Sequence, residues 1–142
     1  MSDLTIRDME QDEDFAEWFS DLLQMEEERG TAFHLSDHYL VLSNEIGDWI
    51  GGLRYTLRGG VATLLELVVA PEVRHQGHAH RLLTAFEARA AESGSHLAEF
   101  WTDDDRGEGL LAALGWQVTL RRPNYIGGRT WALLEKPIDA QD

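Results

Sequence analysis

Apolar residues near the start of the chain recur at the spacing of an amphipathic helix. Between positions 12 and 30, bulky side chains fall every three or four residues, which is typical of one helix face. They are Phe15, Trp18, Phe19, Leu22, Leu23 and Met25. Acidic residues at 12–14 suit the positive end of the helix dipole, and Gly30 is the expected end of the helix. A short strand is predicted before it, at residues 4–7.

The middle of the chain predicts strands separated by turn residues, followed by a second helix. The strands are predicted at 39–43, 48–58 and 61–69, with turns at 44–47 and 59–60. The apolar run of the third strand ends before Pro71, and a short loop leads into an amphipathic helix that closes at 93–94. The apolar face of that helix comprises Leu82, Leu83, Phe86 and Ala90.

The last third predicts a strand, a helix and two more strands. The expected ranges are 96–101, 108–114, 116–121 and 130–136. The element order is therefore βα, βββα, βα, ββ. Because the sequence contains no internal repeat, low-complexity tract or Pro/Ser-rich linker, we expect one domain spanning residues 1–142.

The loop after the third strand has the composition of a phosphate site. It reads R-H-Q-G-H-A from Arg74 to Ala79 and leads into a helix N-terminus, where free N–H groups favour anions. Gly77 lets backbone approach a ligand closely, and Arg74 supplies a fork of donors. The spacing Arg74-x-x-Gly77-x-Ala79 resembles the Arg/Gln-x-x-Gly-x-Gly/Ala signature of the GNAT superfamily of acetyl-CoA-dependent N-acetyltransferases. An ordinary strand–loop–helix junction is the alternative.

The resemblance covers nearly the whole chain and implies a fold and a co-substrate site. It implies an α+β protein, an α/β/α sandwich around a mixed, mostly antiparallel sheet with splayed central strands. The loop would bind the pyrophosphate of acetyl-CoA, the preceding strand its pantetheine arm, and a backbone N–H near Val69 the oxyanion. The cofactor-binding residues are then Leu67, Val68, Val69, Arg74, His75, Gln76, Gly77, His78, Ala79 and Asp104, the last matching an Asn of the family element.

Two carboxylates interrupt apolar strands and are candidate bases. Glu66 and Glu99 each stand among apolar residues, and a primary amine must lose a proton before it attacks a thioester. Counted from the Leu-Gly-Trp element that ends at Trp116, Glu99 falls where the similar ribosomal-protein N-terminal acetyltransferases carry a base glutamate. The alternative is that both carboxylates lie on an open sheet face and pair with Arg54 or another arginine.

The general acid is where the chain departs from the family pattern. Many GNAT proteins carry a tyrosine that protonates the departing thiolate, and Leu111 stands at that position here. Tyr125 is the candidate substitute, with Tyr55 or water as others; Tyr125 as a plain loop aromatic is the alternative. The departure also leaves open a second function, a GNAT-fold module that binds acyl-CoA as a sensor or partner-binding protein with weak turnover.

The composition of the chain indicates which classes of molecule it is expected to bind. The net charge of −14 argues against nucleic acid and is compatible with a cationic acceptor, with solubility alone as the alternative reason for the charge. The chain has no cysteine, so an acyl-enzyme is not expected, and His75, His78 and His80 lack a completing carboxylate, so no metal site is expected. The absence of a long apolar run indicates no membrane partner, and we expect a cytoplasmic protein. A homodimer through an apolar edge at residues 131–134 is a further expectation.

Overall fold

The computed structural model describes residues 4–28 and 33–139. The chain divides into two compact units, Met1–His34 and Leu35–Asp142. In the first, helix α1 spans Glu13–Glu28. Asp12 caps it, because its carboxylate accepts a hydrogen bond from the Phe15 N–H at 3.0 Å. The predicted helix end at Gly30 lies outside the described residues.

The strand predicted at residues 4–7 is not formed. Residues 4–10 have no regular structure, and Leu4 and Ile6 are exposed. A strand forms only where a neighbouring strand supplies partners for its N–H and C=O groups. Alternating apolar residues are therefore not sufficient to form a strand here.

The second unit contains a six-stranded sheet and two helices. The strands are β1 (Ser36–Ser43), β2 (Trp49–Arg58), β3 (Val61–Val69), β4 (Leu97–Thr102), β5 (Gln117–Arg122) and β6 (Trp131–Pro137). The helices are α2 (His78–Glu92) and α3 (Asp105–Ala113). The strand order is β1-β2-β3-β4-β6-β5, and every neighbouring pair is antiparallel except β3 and β4. This confirms the mixed, mostly antiparallel α+β fold that the sequence predicted.

The parallel pair at the centre of the sheet is joined at one end only. The register of β3 and β4 runs from Val61 opposite Leu97 to Leu64 opposite Phe100 and stops there. Beyond that point β3 stays paired with β2 as far as Val69, and β4 stays paired with β6 as far as Thr102. The two strands therefore part into a V-shaped gap, which confirms the predicted splay.

A β-bulge in β3 decides which side chains face the helices. Arg54 is opposite Glu66 and Tyr55 is opposite Leu64, so Leu65 is the extra residue. Because side chains alternate between faces, the bulge reverses the alternation beyond it. Leu64 and Leu67 consequently both pack against the core, while Glu66 lies on the opposite, open face.

The core lies between the sheet and α2. The four apolar residues predicted for this helix are all buried, and Phe86 is fully so. Its ring meets the edge of Tyr55 at 5.2 Å between centroids and stacks with Trp116 at 6.3 Å. Burial raises the pKa of Tyr55. Tyr55 is therefore a residue of the core.

The outermost strands are β1 and β5. The prediction that residues 131–134 form an edge is wrong, because β6 lies between β4 and β5 and is paired on both sides. The last hairpin places its second strand inward, next to β4, and leaves β5 outside. Every residue of β5 is exposed. Within the described residues, none of the helices is both long and apolar enough to cross a membrane.

Candidate functional site

The β3 side of the gap presents backbone groups that no strand of the sheet pairs, and of these the Val69 carbonyl accepts a hydrogen bond from Arg74 Nε. The Ala70 N–H donates to the Ile50 carbonyl at 2.8 Å, so these two residues form a hydrogen-bonded pair. Hydrogen-bonded and non-hydrogen-bonded pairs alternate along antiparallel strands. Val69 and Leu67, which are opposite Gly51 and Leu53, therefore turn their N–H and C=O groups away from β2 and towards the gap. An extended ligand in the gap would find strand-like partners there.

On the helix side, the gap opens into a cavity of about 130 Å³ between β3, β4, α2 and α3. Its lining is Leu64, Leu67, Leu83, Phe100, Thr102, Asp104, Gly107, Leu110 and Leu111. Leu111 is buried in this wall, so the position of the family tyrosine carries an apolar side chain. Asp104 caps α3, since its carboxylate accepts the Arg106 N–H at 3.0 Å, and its own N–H donates to Thr102 Oγ1 at 3.1 Å.

The loop between β3 and α2 keeps the first turn of the helix available. A 3₁₀ turn at Pro71–Val73 comes first, then Arg74, whose Nε donates to the Val69 carbonyl at 3.1 Å. Gly77, with φ of 80°, precedes the helix without a side-chain cap, and the first turn contains no acidic residue. The first N–H groups of α2 are thus neither capped by a side chain nor opposed by a carboxylate, which favours an anion.

Two histidines of this loop, His75 and His78, have different surroundings. His75 adopts a left-handed backbone with φ of 66°. His78 begins the helix, and its Nδ1 is buried with no hydrogen-bond partner. In the part of the chain that the structure describes, no three His, Cys, Asp or Glu side chains are grouped so as to hold a metal ion.

On the open face, the candidate bases flank the point where the strands part. Glu99 is opposite Thr63, whose hydroxyl donates to its Oε1 at 2.9 Å, and opposite Glu135 on β6. Glu66 lies further along β3, where its carboxylate is 3.5 Å from an Arg54 nitrogen and its side chain is 66% exposed. Glu66 is therefore the solvated, arginine-paired carboxylate of the alternative interpretation, and not a carboxylate buried in the sheet.

Arg54 lies on the open face in one row with Tyr39 and Glu66. A hydrogen bond with Tyr39 and the charge of Glu66 raise the pKa of Arg54. Tyr39, Arg54 and Glu66 are aligned across β1, β2 and β3. Glu66 therefore lies beside the positive charge of Arg54, whereas the hydrogen-bond partner of Glu99 is the neutral hydroxyl of Thr63.

Tyr125 lies on the other side of the gap, within an aromatic cluster that the sequence pattern did not predict. Its ring is 5.5 Å from Trp101 on β4 and 6.3 Å from Trp131 on β6. The Arg122 guanidinium lies over both the Trp101 ring, at 5.3 Å, and the Tyr125 ring, at 4.9 Å. Trp101 lies two residues after Glu99 on the same strand, so the cluster adjoins the candidate base.

Comparison with known proteins agrees with this arrangement. The model of the acetyltransferase (GNAT) family matches residues 4–116. No curated protein sequence matches the chain. Among solved structures, one from Agrobacterium tumefaciens, of a protein assigned to the acetyltransferases, has a TM-score of 0.75 at 20% identity, with 96% of this chain and 100% of that chain covered.

Two further solved structures support the same fold. An acetyltransferase from Bacillus cereus has a TM-score of 0.74 at 19% identity, with 94% and 98% of the two chains covered. The ribosomal-protein-S18-alanine N-acetyltransferase from Escherichia coli has a TM-score of 0.66 at 18% identity, with 84% of this chain and 78% of that chain covered. At such identities the structures establish the fold alone. The family match over most of the sequence establishes more: this chain is an acyltransferase of the GNAT acetyltransferase family.

Proposed function

We propose that the protein transfers an acetyl group from acetyl-CoA to a primary amine of a small molecule or peptide, in one direct step within a ternary complex. The observation that carries this proposal is the gap between β3 and β4. It has unpaired backbone N–H groups on one side, an uncapped helix N-terminus at its mouth and a carboxylate, Glu99, at the point where the strands part. A cytoplasmic location and a homodimer remain part of the proposal.

The residues around the gap suit the parts of an acyl-CoA. The N-terminus of α2 suits a pyrophosphate, and so does the guanidinium of Arg74. Only the Nε of that guanidinium donates to the Val69 carbonyl. The strand-like groups of Leu67 and Val69 suit the amides of a pantetheine arm. The apolar cavity suits the thioester end, and bound acetyl-CoA would supply an activated acetyl group.

Proton removal from the acceptor is assigned to Glu99. Thr63 holds its Oε1, which leaves Oε2 to accept a proton from the incoming ammonium directly or through water. Glu66 is engaged by Arg54 and is largely solvated, so its part in the proposal is to attract the ammonium group to this face. A backbone N–H of the Leu67–Val69 segment would stabilise the charge that develops on the carbonyl oxygen.

The reaction then balances without a covalent enzyme intermediate. The ammonium nitrogen loses two protons, one to Glu99 before it attacks and a second to water as its bond to the acetyl carbon forms, and the carbon–sulfur bond breaks. The thiolate takes a proton from water or from Tyr125, which lies on the Trp101 side of the gap. Because an alkyl thiol has a pKa of about 8.5, its thiolate is a tolerable leaving group even though Leu111 offers no hydroxyl.

The first experiment is a calorimetric titration with acetyl-CoA on the parent and on an Arg74→Ala, Gly77→Asp double variant. The matched control is Gly47→Asp: like Gly77, Gly47 has a positive φ and open space where a Cβ would lie, but it is in the β1–β2 turn. We expect saturable binding to the parent and the control, and at least tenfold weaker binding to the double variant. Equal binding to all three would refute the loop assignment.

Turnover is then measured as amine-dependent release of free thiol from acetyl-CoA. Acceptors are screened with the parent and with Glu99→Gln under saturating acetyl-CoA. Release by the parent that the variant largely loses would support direct transfer with Glu99 as base. Binding of acetyl-CoA without thiol release on any amine would instead favour a CoA-binding protein with little activity.

A further inference from the structure

We propose that Arg122 binds a carboxylate of the acceptor, so that the acceptor is an amine that also carries a carboxylate group several bonds away, such as an ω-amino acid or a short peptide. This inference rests on the proposed function and names its substrate class. It starts from the aromatic cluster beside Glu99, which comprises Trp101, Tyr125, Trp131 and the Arg122 guanidinium.

Arg122 differs from the neighbouring arginines in its partners. Arg121 forms an ion pair with Glu108, and Arg129 pairs with Asp103 at 3.0 Å. Over the described ranges of the chain, Arg122 has no carboxylate partner; its guanidinium rests on two aromatic rings. A cation–π contact engages the charge of a guanidinium without an acceptor for its N–H donors, and such donors bind carboxylates in pairs of hydrogen bonds.

The surroundings of Arg122 hold it in place. The Trp131 indole N–H donates to the Ile126 carbonyl at 2.9 Å, and the Tyr125 N–H donates to the Arg129 carbonyl at 2.8 Å. These bonds fix the loop between β5 and β6 and with it the ring of Tyr125. A preorganised cation binds an anion at a lower entropic cost than a free arginine side chain does.

The charges on the open face are divided between two ends. Glu99 and Glu135 are opposite each other on β4 and β6, and Glu66 lies across the gap, so this end attracts an ammonium group. Trp101, on which Arg122 rests, is the next residue of β4 on the same face as Glu99, about 7 Å further along the strand. An acceptor with ammonium and carboxylate groups at about that separation would satisfy both ends.

A second cation is a poor occupant of the cluster. The faces of Trp101 and Tyr125 already contact a guanidinium, so a purely cationic acceptor would have to displace it or lie beside a like charge. This argues for an anion-bearing acceptor even though the whole chain carries a net charge of −14.

The test uses three acceptors that share a five-carbon chain and a primary amine but differ at the far end: 5-aminopentanoate, 5-aminopentanamide and 1,5-diaminopentane. Each is assayed for thiol release from acetyl-CoA and titrated by calorimetry into the CoA-loaded protein. The variants are Arg122→Gln and Arg122→Lys. Arg121→Gln is the matched control on the same strand, because its side chain pairs with Glu108.

We expect the parent and Arg121→Gln to prefer the carboxylate over the amide by about 10- to 100-fold. Arg122→Gln should lose that preference with the amide unaffected, and Arg122→Lys should keep part of it. Equal use of the three compounds, or a preference for the diamine that grows in Arg122→Gln, would overturn the inference while leaving acetyl transfer intact. A carboxylate preference in binding without thiol release would keep the inference and refute the proposed function. If none of the three compounds binds or reacts, the inference is refuted.

Discussion

On β3, Leu64 and Leu67 pack against the core under α2, whereas Glu66, between them, faces the opposite side of the sheet and is exposed. The same division holds on β4, where Ala98 is fully buried and its neighbour Glu99 lies on the open face with Thr63. The helix face is closed by apolar contacts, and the open face carries charges and aromatic rings. Side chains of one strand thus serve stability on one side and the candidate chemistry on the other.

This division has a consequence for mutations. Substitutions on the helix face should change the free energy of unfolding, and substitutions on the open face should change activity at nearly constant stability. The bulge at Leu65 is the element that keeps the division intact beyond the point where β3 and β4 part.

The largest effect is expected for Phe86→Ala. Phe86 is fully buried, between Tyr55 and Trp116, so the variant leaves a cavity and should lose about 3–5 kcal/mol in the free energy of unfolding. Val68→Ala, at an open-face residue that is 68% exposed, should change it by less than about 0.5 kcal/mol. Denaturant unfolding measures both, and similar losses would mean that the open face is buried in solution.

The next effect concerns activity. Glu99→Gln should lower kcat by about 100-fold or more, because it removes the proposed base, while the unfolding midpoint in urea stays close to that of the parent. Glu66→Gln is the comparison and should act mainly on KM, since Glu66 is the arginine-paired carboxylate. A larger loss of kcat in Glu66→Gln would reverse the assignment of the two residues.

Replacing Leu111 with the tyrosine of the family pattern should lower the stability of the protein. Leu111 is buried in the wall of an apolar cavity, so Leu111→Tyr would place a hydroxyl among apolar side chains and should cost about 1–3 kcal/mol of unfolding free energy. Leu111→Met, which nearly conserves volume, should cost less than about 1.5 kcal/mol. A Leu111→Tyr variant with parental stability and raised kcat would show that this wall can adapt.

The smallest effect is expected at an ion pair on the protein surface. A hydrogen bond from Arg121 lowers the pKa of Glu108 in the folded protein. The stabilisation is therefore present above the unfolded pKa of about 4.3 and is lost as the pH falls through the lower folded pKa. Glu108→Gln should flatten the decline of Tm between about pH 5 and pH 3, and Glu92→Gln, from the exposed Arg89 pair, is the control. A steeper decline in Glu108→Gln would contradict this sign.

Local patterns were sufficient for much of the fold. The spacing of Leu82, Leu83, Phe86 and Ala90 predicted the buried face of α2, and all four are buried. The three-strand run before the loop also formed, with β2 and β3 close to their predicted bounds. Such features follow from neighbours along the chain, since periodicity and turn residues act over a few positions. The segment at residues 4–7 forms no strand, because a short apolar pattern alone supplies no partner for its backbone groups.

The candidate site likewise has one part that follows from the local sequence and another that depends on contacts between strands. The sequence by itself determined that the segment from Arg74 leads into the N-terminus of α2, because a turn followed by a helix start is built from consecutive residues. Only the tertiary structure decided that Glu66 pairs with Arg54, that Glu99 receives the Thr63 hydroxyl, and that Arg122 rests on Trp101 and Tyr125. All of these contacts except that between Arg122 and Tyr125 join residues far apart in sequence, and they depend on strand register, where one bulged residue exchanges the two faces.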